Sequence, residues 1–166
     1  MESSIKPIFD YICRKGSTLK SNPSIITYTL IGIVSGSGAL HIKGTPSGND
    51  YVFRALVPEG FSSIGKTMIH FWVKGTAAKS LSLNVYTGSS YSKFNLGDAT
   101  ADVVLEPVSS NQYSGTVDTG GEWIKVSLNI STIVNDISST VGESLFALKV
   151  GKTADYDLFV DDITIE

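Results

Sequence analysis

Over residues 67–88, TMIHFWVKGTAAKSLSLNVYTG, apolar and polar side chains alternate nearly one by one. A period of two belongs to a β-strand lying with one face on a core, and no helical period fits it. Ile69, Phe71 and Val73 share one face of the first run, and Leu81, Leu83 and Val85 share one face of the second. Similar Val/Ile/Thr/Phe/Tyr-rich runs recur at 25–34, 39–43, 51–57, 102–106, 123–130, 144–150 and 157–165. Gly, Ser, Asn and Pro punctuate between them, as in SGSG, GTPSGN, PEG and DTGGE. Many short strands separated by turn signals predict an all-β chain, an antiparallel sandwich or barrel. A short helical turn is predicted only at 131–136, with Ser131 as its cap, while 88–101 and 107–122 read as polar loops.

The alternation also sorts side chains by face. Leu40 and Ile42, the six residues above, and Ile124, Val126, Leu128 and Ile130 point toward a core. The reverse faces carry His41 and Lys43, then His70, Trp72 and Lys74, then Asn84 and Tyr86, then Trp123, Lys125, Ser127 and Asn129. Run 51–57 is apolar on both faces apart from Arg54, the pattern of a central strand. Aromatic rings on an outward face are expensive to leave in water, so Trp72 and Tyr86 invite a covering group.

With 166 residues the chain fits one domain, and its 42% hydrophobic content supports a two-sheet core. The formal charge of −3, without a Lys/Arg cluster, argues against nucleic acid or acidic membrane surfaces as partners. Cys13 is the single cysteine, which excludes an internal disulfide and a thiolate zinc site. No apolar stretch approaches the length of a membrane-spanning helix, and MESSIKPIFDYICRKG lacks the pattern of a secretory signal. Two origins are compatible with this: a cytoplasmically made protein, or a domain cut from a longer secreted one.

SGSGALHIKG, HFWVKG, LSLNVYTG, GEWIKVSLNIS and DLFVDDITIE fall in an order and spacing that resembles galactose-binding-like β-jelly-roll modules. These are carbohydrate-binding domains appended to bacterial hydrolases and surface proteins. The resemblance covers about residues 25–166, with 1–24 as an N-terminal segment that is partly strand or a covering loop. It implies a single-domain, antiparallel two-sheet jelly roll without catalysis. It also implies a structural Ca²⁺, held by an acidic residue of the last strand and oxygens from an early loop. Asp161 and Asp162 match that position, and Asp10, Asn49 and Asp50 are candidates for the early contribution. The alternative is that both aspartates are solvated strand-end acids.

Catalytic constellations are weak. GIVSG and SGSGA are not G-x-S-x-G, and His41 and His70 lie on different strands without an acidic partner at a telling spacing. The acids are scattered over turns rather than paired as glycoside hydrolysis needs. The aromatic constellation offers more. Trp72 and Tyr86 are predicted to form a platform for a sugar ring, with Asn84, Arg54, His70 and Lys74 at its edge and Tyr91 and Tyr113 on nearby loops. A competing account has Trp72 filling a second hydrophobic layer beneath the N-terminal segment or loop 107–122. The expectation is therefore a non-catalytic carbohydrate-binding module, secreted or at the cell surface within a larger protein. The alternative is a structural or interaction module, such as a virion decoration or fibre domain or a cell-surface adhesion domain.

Overall fold

The computed structural model describes residues 26–29 and 38–166. Eleven strands appear in the described residues: β1 (Ile26–Thr29), β2 (Ala39–Gly44), β3 (Asp50–Leu56), β4 (Met68–Ala77), β5 (Leu81–Thr87), β6 (Ser90–Leu96), β7 (Val103–Leu105), β8 (Val117–Asp118), β9 (Ile124–Asn129), β10 (Ser144–Val150) and β11 (Tyr156–Ile165). One sheet has the order β1-β2-β11-β4-β9-β7, with β8 beside β4, and the other has β3-β10-β5-β6. All ladders are antiparallel except β7 against β9, which is parallel.

Strand order gives the winding of a jelly roll. β2 pairs with β11, β3 with β10, β4 with β9 and β5 with β6, so early strands close against late ones. The chain therefore changes sheet at six of the ten connections between these strands. Each sheet puts its apolar face inward, and Phe71 of β4 meets Phe146 of β10 across the sandwich at a ring-centroid distance of 6.1 Å. Ile69, Phe71, Val73, Leu81, Leu83, Val85, Ile124, Val126, Leu128 and Ile130 are all buried in this one core, as the alternation predicts.

The sheet change after β4 decides where the functional face lies. β4 and β5 lie in different sheets, and residues 78–80, extended, span the ~10 Å between them. The arch is fastened to the start of β11: Ala78 N–H donates to Asp155 O at 2.9 Å, and the Tyr156 hydroxyl donates to Ser80 O at 2.8 Å. Gly75, just before it, adopts φ 123°, and a Cβ there would lie 2.0 Å from Asp157 O, so β4 and β11 approach more closely than any other residue allows.

Several expectations need correction. β3 is an edge strand, not a central one, because nothing but β10 pairs with it among the described residues. Stretches 88–101 and 107–122 contain β6 and β8 rather than loops alone. The predicted helical turn is a 3₁₀ turn at Val134–Asp136, and Ser131 does not cap it; its hydroxyl bonds Asn129 Oδ1 at 2.7 Å. Asp10, Cys13 and the N-terminal segment lie outside the described residues.

Candidate functional site

The outward face of the four-stranded sheet gathers most of the predicted ligand residues. Alternation along β5 turns Ser82, Asn84 and Tyr86 outward, opposite the buried Leu81, Leu83 and Val85. Antiparallel register then fixes their neighbours. Asn84 lies between Ala147 of β10 and Lys93 of β6, and Ala147 in turn faces Arg54 of β3. One row along, Lys149 lies between Tyr51 and Ser82, with Asn95 beyond. On the other side Tyr86 faces Tyr91.

The centre of this face is a small residue ringed by large ones. Ala147 and Asn84 are fully buried, and Tyr51 and Tyr86 flank their row from either side. The Arg54 guanidinium joins the two phenols, 5.0 Å from the Tyr51 ring centroid and 5.9 Å from that of Tyr86. Lys149 Nζ stands 4.7 Å from the Tyr51 ring and 5.7 Å from that of Tyr113, and Lys93 Nζ stands 5.1 Å from the Tyr91 ring. Cations over aromatic faces are held electrostatically by the ring quadrupole, so each ring also orients a charge.

Tyr113 reaches the platform because its loop is sewn to β6. Val108 N–H donates to Lys93 O at 2.8 Å, Asn95 Nδ2 donates to Ser110 O at 3.0 Å, and Gln112 N–H donates to Asn95 Oδ1 at 3.2 Å. The loop thus forms a rim along one margin, and Tyr113 lands beside Gly151, where an added Cβ would come within 3.0 Å of its own.

Electrostatics mark the same spot. Burial and the adjoining Tyr51 phenol push the Tyr86 hydroxyl up to about 12. Burial pulls the Lys149 ammonium down, but the phenolic oxygens of Tyr113, Tyr51 and Tyr91 outweigh it and its pKa is raised. Neither amide atom of Asn84 makes a hydrogen bond of ordinary geometry, although the amide lies near enough to the Tyr86 hydroxyl to favour the phenolate slightly. A fully buried amide with no direct partner is costly, and such groups in folded proteins call for a reason.

Trp72 and His70 do not belong to this platform. Both are on β4, in the other sheet, so the predicted Trp72–Tyr86 pair is divided by the whole sandwich. Lys74 goes with them. Trp72 is half-buried between Asp161 and Lys125 in the ladder. His70 is buried, with Nδ1 2.7 Å from Ser127 Oγ and Nε2 2.5 Å from Glu166 Oε1. This trio has the composition of a nucleophilic triad, but Ser127 sits mid-strand with ladders to β4 and β7 on its two sides. Its neighbouring backbone N–H groups are committed to pairing, which leaves no oxyanion donors there. His41 is equally occupied, stacked on Phe159 at 4.1 Å and bonded through Nε2 to Asp157 Oδ1 at 2.7 Å.

Asp161 and Asp162 fall at a bulge in β11, where the register against β4 slips between Asp161 and Thr164 and Asp162 takes φ 52°. Asp161 is buried and accepts the Asp162 N–H at 2.8 Å. Asn49 and Asp50 lie toward the opposite end of β11: Asn49 Oδ1 accepts the Lys152 N–H, and Tyr156 pairs with Gly44. Five residues of strand, about 16 Å, separate that end from Asp161. No three His, Cys, Asp or Glu side chains converge among the described residues.

Tyr51, Lys149 and Lys93 were not anticipated. Tyr91 and Lys93 alternate within 90–96, but Tyr51 and Lys149 stand singly in their runs, and only the strand order places them on the same face.

No family model matches the chain, and no curated protein sequence matches it. Among solved structures it is similar to a carbohydrate-binding module, TmCBM27, dissected for specific mannan recognition, at 14% identity and a TM-score of 0.43 over 99% of this chain and 94% of that one. The β-sandwich assignment itself rests on the strand order and the shared core described above.

Proposed function

We propose that this protein is a non-catalytic carbohydrate-binding module whose ligand lies on the outer face of the four-stranded sheet. The observation that carries the reading is the platform around Asn84. Tyr51, Tyr86, Tyr91 and Tyr113 offer ring faces for the C–H surface of a sugar, and Arg54, Lys93 and Lys149 offer donors to its rim oxygens. Apolar surface with a few convergent polar groups is the general form of a ligand site, and tyrosine combines both in one side chain. The face is built on four neighbouring strands, which suits an extended polymer and weak individual contacts.

A glycan array probed with the purified protein tests the proposal. Wild type should bind at least one glycan class, and Tyr86→Ala with Tyr91→Ala should remove the signal while the double variant keeps its β-sheet circular dichroism. A wild-type array without any signal defeats the reading.

A further inference from the structure

We infer that the glycan is an acidic one, a polysaccharide whose sugars carry carboxylates. This rests on the reading of the tyrosine face as a sugar site and goes on to name the ligand's charge.

Arg54 of β3, Lys149 of β10 and Lys93 of β6 bring three positive charges to one face. None of them has a carboxylate within ion-pair distance among the described residues. The side-chain ion pairs found there, of His41 and Lys43 with Asp157 and of His70 with Glu166, all belong to the other sheet. Acids were not scarce, since the chain has 16 against 13 Lys and Arg. Yet the residues interleaved with the three cations in the ladders are Ala147, Asn84, Ser82 and Asn95, all neutral. Sheets ordinarily relieve such a concentration by placing opposite charges across strands. Here the rings relieve it in part, holding each cation in place and leaving its charge uncancelled.

The donor balance points the same way. The phenols and the Asn84 amide can donate or accept and would serve any sugar, so the three cations are what set this site apart. Guanidinium and ammonium groups only donate. A carboxylate only accepts, and the planar fork of Arg54 matches its two oxygens.

The experiment compares polygalacturonate with the same polymer fully methyl-esterified, which keeps the sugar faces and removes the charge. Binding is followed by isothermal titration calorimetry on the whole protein, with a sulfated glycan and a neutral mannan as further arms. Polygalacturonate should bind at least about tenfold more tightly than its ester, and the preference should shrink as NaCl rises from ~0.05 to ~0.5 M. Lys93→Gln with Lys149→Gln should weaken polygalacturonate binding more than ester binding and so erase most of that preference, and an equal loss for both polymers would count against the charge reading. Equal affinity for the acid and ester forms, or binding to mannan alone, overturns the acidic ligand and leaves the sugar site standing. Binding confined to the sulfated glycan also overturns the carboxylate assignment. Failure to bind any of the four polymers, together with a blank glycan array, defeats the sugar site itself.

Discussion

Tyr86 and Tyr91 stand opposite each other across the β5–β6 hairpin, ring centroids 5.5 Å apart and planes tilted by 57°. The hairpin sets this geometry, because Thr87 pairs with Ser90 and leaves Gly88 and Ser89 as a two-residue loop. Gly88 has φ 70° while Ser89 keeps a negative φ, the pattern of a type II′ turn, whose twist matches the strands. A tilted aromatic pair is worth about 0.5–1.5 kcal/mol beyond its buried area. Tyr91→Ala should therefore lower the melting temperature by only ~2–4 °C. Its effect on binding should be larger, about tenfold in the dissociation constant by calorimetry, because the lost ring is one of the four that make the platform. A large loss of stability with unchanged affinity would make the pair a structural clasp.

Asn84 should show a trade of stability for function. A buried amide left without a partner costs about 1–3 kcal/mol. Leucine nearly matches its shape without the polar atoms, so Asn84→Leu should raise the urea midpoint with no change in slope, a gain of about 1 kcal/mol. Glycan affinity should fall in the same variant. A lowered midpoint would mean that the amide is satisfied in solution by a bound water.

The faces were readable in the residues and their partners were not. Leu81, Leu83 and Val85 announce which side of β5 is buried, because burial is a property of one strand and its period. That Asn84 has Ala147 and Lys93 as neighbours depends on pairings of residues far apart in the chain, which alternation does not encode. The run 67–88 looks like a hairpin for the same reason: β4 and β5 are both amphipathic, and each would read identically in either sheet. A three-residue connection serves a hairpin and an arch between sheets equally, so the sheet change after β4 is visible only in the structure. Gly88-Ser89 between Tyr86 and Tyr91 carries a local hairpin signal, and Phe94 and Leu96 alternate behind it, which the reading of 88–101 as a polar loop passes over.

Trp72 supplies the complementary test, since it lies on the sheet opposite the platform. Trp72→Ala should leave glycan affinity within twofold of wild type. A fully buried ring costs ~3–5 kcal/mol when truncated, and the half-buried Trp72 should cost less, about 1–3 kcal/mol in urea. Abolished binding in a well-folded Trp72→Ala protein would move the site to the other face.

Alkaline titration isolates Tyr86. Its hydroxyl is raised from 10.0 to about 12, first by burial and then by the Tyr51 phenol, so the fold favours the protonated form. The sign follows from that: the stabilisation is fully present below pH 10.0 and disappears as the pH climbs through about 12. Phenolate absorbance should show a late-titrating component that Tyr86→Phe removes. The same substitution should flatten the fall in melting temperature over that window. A wild-type protein whose phenols all ionise near 10 would mean that the Tyr51–Tyr86 contact is open in solution.

His70 should produce the opposite response on the acid side. Its pKa is lowered from 6.5, chiefly by burial and next by the Lys125 charge, while Glu166 works against both. A depressed histidine favours the neutral ring in the folded state, so its stabilisation is complete above pH 6.5 and is lost as the pH falls through the lower folded value. Asp157, held below 3.8 mainly by its hydrogen bond from His41, fails only at still lower pH, which separates the two effects. The melting temperature should thus begin to drop as the pH falls below 6.5, and His70→Gln should lose most of that slope while keeping a bond to Ser127. Imidazole proton shifts in NMR give the direct reading. A His70 resonance that titrates above 6.5 would mean that Glu166 outweighs burial, and the wild type would then grow more stable, not less, on mild acidification.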